Sequence, residues 1–553
     1  MSRTLRAAAA QFAVGSDVTE NLATARRMIR TAAEQGAELI VLPEFCNHLS
    51  IYRDAEHAWE VAITTDGEWV EEMAAVARER GVWVQFNATV RRSPATASAP
   101  RPWITNTNFV LDDHGVVVSV TDKTVLMGAE GEFLTPADHP SAPIDSPFGL
   151  LGSYACMDGI VPEVPRAIAA RGARVLLNSL NSFALDEASV HIPVRAAENR
   201  SWVIACCKVG PLLPPDKVEL FSQMMGVPAD MLSGAGESQI VAPDGTVVAK
   251  GPREGEAVVI ADIDLDRCGE ARPDGTDPWA ARRPELYGAL ARATPVLDDH
   301  PRSATLRAAT ATEPTAVAGL AAEGVQLVVL PELSVTPMQL DTIASSLAGT
   351  DTVVVTSLRD GDRHVGVAID HTGVIHEQVQ LHGVARHDWS RRLGDTAGHV
   401  DLPWGRLAIM VGDDLIHPEV ARLAALSSVD VLAVPFDAQE RWDAQLGVVE
   451  RAAENRMCVV ASTRSNDVGR SLIADLPPDF TLWAQSRERP FDGTINQPDL
   501  FTDTDTDTDT DPSGRPSIVR ATIHPARAVQ RQISKGTNLV DGRPWQICSA
   551  LVH

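Results

Sequence analysis

The chain has 553 residues, 44% hydrophobic and 22% charged, which indicates a folded protein too long for a single hydrophobic core. Its 48 basic and 74 acidic residues give a formal net charge of −26, so we expect neither nucleic acid nor an anionic membrane as a partner. The seven cysteines show no CxxC spacing, and no uncharged apolar run reaches about 18 residues, so we predict a cytoplasmic protein without disulfides, zinc knuckle or membrane span.

The predicted elements alternate between helices and buried strands. The N-terminal stretch MSRTLRAAAAQFAVG is interpreted as a first strand, and the alanine-rich segment 19–35 is an amphipathic helix. It leads into ELIVLP at 38–43, a continuous apolar run typical of a strand buried on both faces. Further on, RVLLNS follows a helix that begins near Pro162. This alternation predicts an α/β layered fold.

The second half of the chain repeats the first in the same order. The recurring stretches are TLRAA at 4–8 and 305–309, AEQGAELIVLPEF at 33–45 with AAEGVQLVVLPEL at 321–333, and RAAENR at 195–200 and 451–456. We therefore predict a tandem duplication, with a first domain at 1–288, a polar linker at 289–303 and a second domain at 304–553.

One insertion distinguishes the second domain. The tract TDTDTDTDTD at 502–511 lacks the glycine turn and the terminal glutamate of an EF-hand calcium loop. We therefore predict a solvated loop there and no ion site.

Three side chains in the first domain follow apolar strands, where an α/β fold usually places its site. Glu44 closes VLPEF, Lys123 lies in VTDKTVL, and Cys156 follows LLGSYA. A thiol nucleophile needs a base to accept its proton, and a carboxylate can serve. A lysine beside them can hold the oxyanion, helped by the backbone N–H of Met157.

Together the motifs VLPEF, DKTVLMGAE and CMDGIVPEVPR, followed by RAAENR, resemble those of the nitrilase superfamily of carbon–nitrogen hydrolases. The resemblance implies Cys156 as nucleophile, Glu44 as general base and Lys123 as the oxyanion-stabilising cation. It implies an auxiliary glutamate after the lysine, for which Glu130 and Glu132 compete. It further implies two tandem α-β-β-α sandwich domains packed as an intramolecular pseudo-dimer, with no metal or organic cofactor.

The sequence predicts a class of substrate and does not identify the compound. The resemblance, with the motif Cys156-Met157-Asp158, favours hydrolysis of a small amide or carbamoyl compound through a thioester at the cysteine. Acyl transfer to an amine or nitrile hydrolysis would use the same triad, and a non-catalytic scaffold or regulatory binding protein is the rival class. Substrate-binding residues are predicted at Asn178, Asn181 and Phe183, and the irregular segment 211–236 is either a pocket wall or a packing arm.

The second domain retains Glu332 at the position of Glu44. Counting from Gly373 places Leu381 at the position of the lysine, and Gly412 replaces the cysteine. The second domain is therefore predicted to be catalytically inactive. It serves either as a scaffold or as the site of a regulatory ligand, and further homo-oligomerisation is left open.

Overall fold

The computed structural model describes residues 3–294, 299–464, 468–478, 481–482, 490–502 and 517–553. They form two similar halves, each built from two six-stranded mixed sheets that face each other. Helices cover the outer face of every sheet, so each half is an α-β-β-α sandwich. The predicted fold class is confirmed.

The first half follows the predicted alternation. Its first sheet contains, in spatial order, Ala257–Asp264, Thr4–Gln11, Leu39–Val41, Trp83–Ser93, Trp103–Leu111 and Val117–Asp122. Its second sheet contains Val247–Lys250, Gln239–Val241, Trp202–Cys207, Val175–Leu180, Gly149–Ala155 and Ile144–Ser146. The outer helices are Val18–Glu34 and Glu68–Arg80 on the first sheet, and Glu163–Ala170 and Ile192–Asn199 on the second.

Side-chain alternation along the first strand separates the two cores of this half. Ala7 and Ala9 face the second sheet, whereas Ala8 and Ala10 face the helices, as the two-residue period of a strand requires. The helix that follows begins at Val18 because the carboxylate of Asp17 accepts the N–H groups of Thr19 and Glu20.

The second half repeats this arrangement in a reduced form. Its first sheet contains Gly373–Val379, Arg363–Asp370, Val353–Asp360, Leu327–Val329, Leu306–Ala311 and Ile518–Ile523. Its second sheet contains Val400–Leu402, Gly405–Ile409, Val431–Pro435, Cys458–Ser462, Leu472–Asp475 and Asp499–Thr502. The outer helices are Val317–Ala322 and Leu340–Ser346 on the first sheet, and Pro418–Leu426 and Val448–Asn455 on the second.

The two halves pack through the helices on their second sheets. Side chains of Glu163–Ala170 and Ile192–Asn199 share one continuous hydrophobic cluster with those of Pro418–Leu426 and Val448–Asn455. The interface therefore has the character of a domain interior, in which apolar burial is the main stabilising term.

Buried ion pairs cross this interface with two-fold pseudosymmetry. The guanidinium of Arg166 donates to Glu419 of the second half at 2.9 Å, and that of Arg422 lies 2.8 Å from Glu163 of the first half. Arg195 and Arg451 form a second such set with the glutamates that each half presents, which are Glu198, Glu450 and Glu454. Each half thus supplies both signs of charge to its partner.

Two further segments that the sequence predicts are the linker and the Thr-Asp tract. The described parts of the predicted linker are packed, because Arg543 donates to the carbonyls of Ala289, Leu290 and Arg292. Thr502 ends the strand Asp499–Thr502, and the rest of the Thr-Asp tract, 503–511, lies outside the described residues. In the described part of the chain, every helix is too short or too polar to cross a membrane.

Replacing Arg166 by methionine should destabilise the protein strongly, because the buried Glu419 would keep only Arg282 as a cationic partner among the described residues and the carbonyl of Glu198 would lose its donor. We expect the free energy of unfolding in urea to fall by about 3–5 kcal/mol. Arg27→Met is the matched control, because Arg27 pairs with Glu256 at the surface and its loss should cost at most about 1 kcal/mol. Equal effects of the two substitutions would contradict the proposed importance of the interface pairs.

Candidate active site

The predicted base and nucleophile lie where strands of the two sheets end side by side. Glu44 follows the strand Leu39–Val41 and is fully buried, and its N–H donates to the carbonyl of Leu180 in the other sheet at 3.2 Å. One carboxylate oxygen, Oε1, accepts Asn106 Nδ2 at 2.7 Å and Lys123 Nζ at 2.8 Å. The other, Oε2, has no hydrogen-bond partner among the described residues. This oxygen is therefore available as a proton acceptor.

The ammonium of Lys123 lies between two carboxylates. Its Nζ donates to Glu44 at 2.8 Å and to both oxygens of Glu130 at 3.1 and 2.9 Å. Burial alone would lower the pKa of Lys123, but Glu130 and Glu44 together raise it well above its ordinary value. The ammonium has three N–H bonds. One donates to Glu44 and one is shared between the two oxygens of Glu130, so the third can donate to a substrate oxygen.

Of the two glutamates that compete for the predicted auxiliary position, Glu130 is the one that contacts Lys123. Glu130 begins the short helix Glu130–Phe133 and also accepts the N–H of Met127 at 3.0 Å. Its competitor Glu132 points away from the site, where it pairs with Lys535 at 2.7 Å.

Cys156 lies at a sharp turn between a strand and a helix, the cysteine elbow, and its side chain is buried. It follows the strand Gly149–Ala155 with φ 47° and ψ −109°, a conformation that non-glycine residues adopt rarely and at an energetic cost. Two hydrogen bonds stabilise this conformation. The N–H of Cys156 donates to the carbonyl of Ser179 at 2.9 Å and to Asn178 Oδ1 at 3.1 Å. The helix Met157–Ile160 begins directly after it, where N–H groups are not used within the helix.

The thiol of Cys156 is neutral at rest. Burial raises its pKa well above the ordinary value, and the charge of Glu44 raises it further, while Lys123 lowers it. A neutral thiol attacks a carbonyl carbon only as its proton moves to a base, and Glu44 is the candidate for that base.

Two further side chains, which sequence reasoning missed, hold these groups in register. Asp158 accepts the N–H groups of Thr124, Val125 and Ala155, which ties the lysine loop to the cysteine elbow, and burial raises the pKa of Asp158 to about 7. Asn106 orients Glu44, as described above. The signal for Asp158 was present, because the second half keeps an aspartate, Asp414, at the same place in its repeated phrase.

The predicted substrate-binding residues divide into two groups. Asn181 and Phe183 line a cavity beside Cys156, and Asn181 Oδ1 has no partner among the described residues. Asn178 does not line that cavity, since it is buried behind the nucleophile and accepts its N–H. The role of Asn178 in substrate binding stays a prediction, and the contact that the structure shows is with the backbone N–H of Cys156.

The cavity has a volume of about 150 Å³ and mostly apolar walls. The segment 211–236 forms much of the wall, which favours the first of its two predicted roles. Its charged lining residues are Glu130 and Glu187, and no lysine, arginine or histidine lines it among the described residues. The apolar lining residues are Ile51, Met127, Met157, Ile160, Phe183, Leu212, Leu213, Phe221, Met225, Leu232, Leu482 and Ile495.

Two more titratable groups that the sequence did not single out lie in this region. Glu187 borders the cavity with Oε2 unpartnered among the described residues, and burial raises the pKa of Glu187 to about 8. Lys208 is fully buried, with its ammonium 5.6 Å from the centre of the Phe45 ring. Burial lowers the pKa of Lys208 to about 8.

The second half completes this cavity. Leu482, Ile495 and Ser534 contribute to its walls. Thr537 Oγ1 accepts the N–H of Gly128 and donates to the carbonyl of Leu126, both at 2.9 Å, so it braces the loop that leads to Glu130.

A second contact from the same half fixes the segment beside Glu187. Asp186 Oδ2 accepts the N–H groups of Ile495, Asn496 and Gln497 at 2.8–3.2 Å. These contacts join residues more than 300 positions apart in the chain, so no local pattern in the sequence predicts them.

The second half has a matching site with altered residues. Glu332 is buried after the strand Leu327–Val329, as Glu44 is after its own strand. Gly412 has φ 57°, close to the 47° of Cys156, so the elbow is preserved without the thiol.

The prediction that Leu381 replaces Lys123 is wrong by one residue. The structure places Gln380 there, because its N–H donates to the carbonyl of His364 at 2.9 Å just as that of Lys123 donates to Asn106 at 2.8 Å. The hairpin before this strand is shorter by one residue after its glycine, so counting from Gly373 overshoots.

The same correspondence puts His364 in place of Asn106 and His387 in place of Glu130. Burial lowers the pKa of His364 to about 3 and that of His387 to about 4, and burial raises the pKa of Glu332 to about 7. The second site therefore retains a glutamate but has neither thiol nor lysine.

Residues 6–273 match the family model described as carbon–nitrogen hydrolase. The similar proteins include the nitrilase and fragile histidine triad fusion protein NitFhit of Caenorhabditis elegans, 27% identical over 51% of this chain and 61% of that protein. They also include deaminated glutathione amidase of Bos taurus, 28% identical over 50% of this chain and 80% of that protein. N-carbamoylputrescine amidase of Solanum lycopersicum is 26% identical over 52% of this chain and 95% of that protein. The chain thus spans less than two thirds of the worm protein.

Replacing Glu44 by glutamine should make the thiol of Cys156 easier to alkylate. The negative charge of Glu44 raises the pKa of Cys156, so its removal lowers that pKa and increases the thiolate fraction at a given pH. The rate of modification by iodoacetamide should therefore rise at pH 7, and its pH profile should shift to lower pH.

Glu132→Gln is the matched control, because Glu132 contacts Lys535 instead of the site. It should leave the alkylation profile unchanged. Slower alkylation of the Glu44→Gln protein would contradict the electrostatic account.

Proposed function

We propose that this chain, whose first half belongs to the carbon–nitrogen hydrolase family, hydrolyses the C–N bond of a small amide or carbamoyl compound through an acyl-enzyme at Cys156. The observation that carries the proposal is the buried Glu44–Lys123–Glu130 network beside a strained cysteine at the edge of a largely apolar cavity. The names of the amidase and carbamoyl amidase relatives agree with this chemistry.

In the first step the sulfur of Cys156 bonds to the carbonyl carbon while its proton passes to Oε2 of Glu44. The oxyanion that forms accepts the third N–H of Lys123 and the backbone N–H of Met157. The C–N bond then breaks, and the proton held by Glu44 moves to the nitrogen, which leaves as ammonia. A thioester remains on the enzyme.

In the second step water replaces the departed ammonia. Glu44, again ionised, accepts a proton from the water as its oxygen bonds to the thioester carbon. The carbon–sulfur bond breaks, the thiol recovers its proton, and the acid is released. Glu130 keeps Lys123 charged and in place throughout both steps.

The cavity favours a neutral, apolar group on the acyl side of the substrate. Its walls are mostly aliphatic, and the charged groups that line it are glutamates. A substrate carboxylate would lose its hydration without gaining a cationic partner, which is costly in a buried site. A carbamoyl compound with a short alkyl chain satisfies the same requirements.

Ammonia release from compounds of equal length tests the function directly. We propose pentanamide, butylurea, pentanenitrile and glutaramate, because they differ in the reacting group or in a terminal carboxylate. We expect kcat/KM for pentanamide or butylurea to exceed that for glutaramate at least about tenfold. Added hydroxylamine would reveal acyl transfer as a hydroxamate product.

The cysteine variant supplies the control for this assay. Cys156→Ala should lower ammonia release at least about a thousandfold, whereas Cys268→Ala, at a half-buried position outside the cavity, should retain the parent rate. No ammonia from any of the four compounds, together with equal alkylation of all cysteines, would favour a scaffold instead.

The second half should affect substrate binding more than chemistry. Ile495→Ala removes apolar contact from the cavity wall but touches none of the reacting groups, so KM for the preferred substrate should rise about tenfold with kcat nearly unchanged. Ile518→Ala, in a strand of the same half outside the cavity, is the control. A fall in kcat without a change in KM would contradict this division.

We also propose that the protein works in the reducing cytoplasm as a self-contained pseudo-dimer. All seven cysteines are free, as that compartment requires. The helices on the second sheets already pack within the chain, so any further homo-oligomer would form through another surface.

A further inference from the structure

The site of the second half has two histidines at positions where the first half has an amide and a carboxylate. Where the first half has Asn106 and Glu130, the second has the imidazoles of His364 and His387. With Glu332, one ligand atom of each lies within 4.8 Å of the others, and all three residues are buried.

We infer that Glu332, His364 and His387 bind a divalent first-row transition metal ion, for which Zn²⁺ is the probe. Two imidazole nitrogens and a carboxylate oxygen suit such an ion, whereas Ca²⁺ and Mg²⁺ prefer oxygen ligands. The inference concerns the second half alone and does not depend on the function proposed for the first.

Unused lone pairs in the cluster support the inference. Glu332 Oε2 and His387 Nδ1 have no hydrogen-bond partner in the described part of the chain. Buried polar atoms normally have partners, and leaving them without one is unfavourable. His387 Nε2 lies 3.8 Å from Glu332 Oε1, so one ion can contact both side chains.

The surrounding residues already orient the ligands. Arg386 donates to the other oxygen of Glu332, Oε1, at 2.9 Å, and its charge is balanced by an ion pair with Asp413. The two nitrogens of His364 lie 2.7 Å from Ser357 Oγ and 3.0 Å from Gln380 Oε1. Whichever nitrogen binds the ion, the other keeps a partner that fixes the ring, as is usual for metal-bound histidines.

The glycine at the old nucleophile position provides the space. A Cβ atom on Gly412 would lie 2.6 Å from Glu332 Oε2, closer than real contacts allow. Restoring any side chain there would displace the carboxylate from the cluster. Glycine at 412 therefore leaves Glu332 room to keep its place beside the two histidines.

The test uses the full-length Cys156→Ala protein, so that the active-site thiol cannot bind the metal. After treatment with a chelator and its removal, Zn²⁺ binding is measured by competition with a chromogenic chelator. We expect one equivalent per chain and a higher melting temperature with Zn²⁺. His364→Gln and His387→Gln should each weaken binding at least tenfold, and His376→Gln, a half-buried histidine outside the cluster, should leave it unchanged.

Absence of stoichiometric binding would overturn the inference, as would equal binding by the parent and both cluster variants. If a histidine variant does not fold, X-ray absorption of the Zn²⁺-loaded parent decides the question. Imidazole scattering without sulfur supports the site, and sulfur ligation refutes it. Because this protein lacks Cys156, the result is independent of whether the first half is an amide hydrolase.

Discussion

The ammonium of Lys123, buried between Glu44 and Glu130, is the interaction on which the first half depends. A charge removed from water is stable only when opposite charges and hydrogen bonds replace its hydration, so both carboxylates must stay in place. Hydrogen bonds to the backbone hold these groups in place at two points. The ends of two sheets meet at Glu44 and Leu180, and Asp158 joins the lysine loop to the cysteine elbow.

The positions of Glu44, Lys123 and Cys156 could be predicted from the sequence because each follows a strand, and the strands before Glu44 and Cys156 are largely buried. Glu44 and Cys156 follow apolar runs, and the strand ends bring them together without further information. The cavity wall could not be predicted in the same way. Ile495 and Ser534 reach it only through packing of two halves, and such contacts leave no periodicity in the chain. The assignment of Leu381 to the position of Lys123 was wrong for a simpler reason. The turn after Gly373 is one residue shorter than the turn after Gly115, so counting from the glycine goes one residue too far.

Joining two sandwiches in one chain removes the symmetry that a dimer of identical subunits would impose. In such a dimer a substitution occurs in both sites, and loss of the thiol in one is loss in both. Here the interface keeps its paired charges, Arg166 with Glu419 and Arg422 with Glu163, while the two sites differ. The interface charges must therefore be kept in both halves. The side chains of the site need to be kept in only one half.

The brace that Thr537 forms has a consequence for the order in which the enzyme is made. On the ribosome, Cys156 emerges several hundred residues before Thr537, and the first sandwich can close while the second is still being synthesised. Until then the loop before Glu130 lacks its outer support, and the cavity lacks the walls that Leu482 and Ile495 provide. A nascent chain therefore lacks part of the cavity wall until the second half has folded against the first.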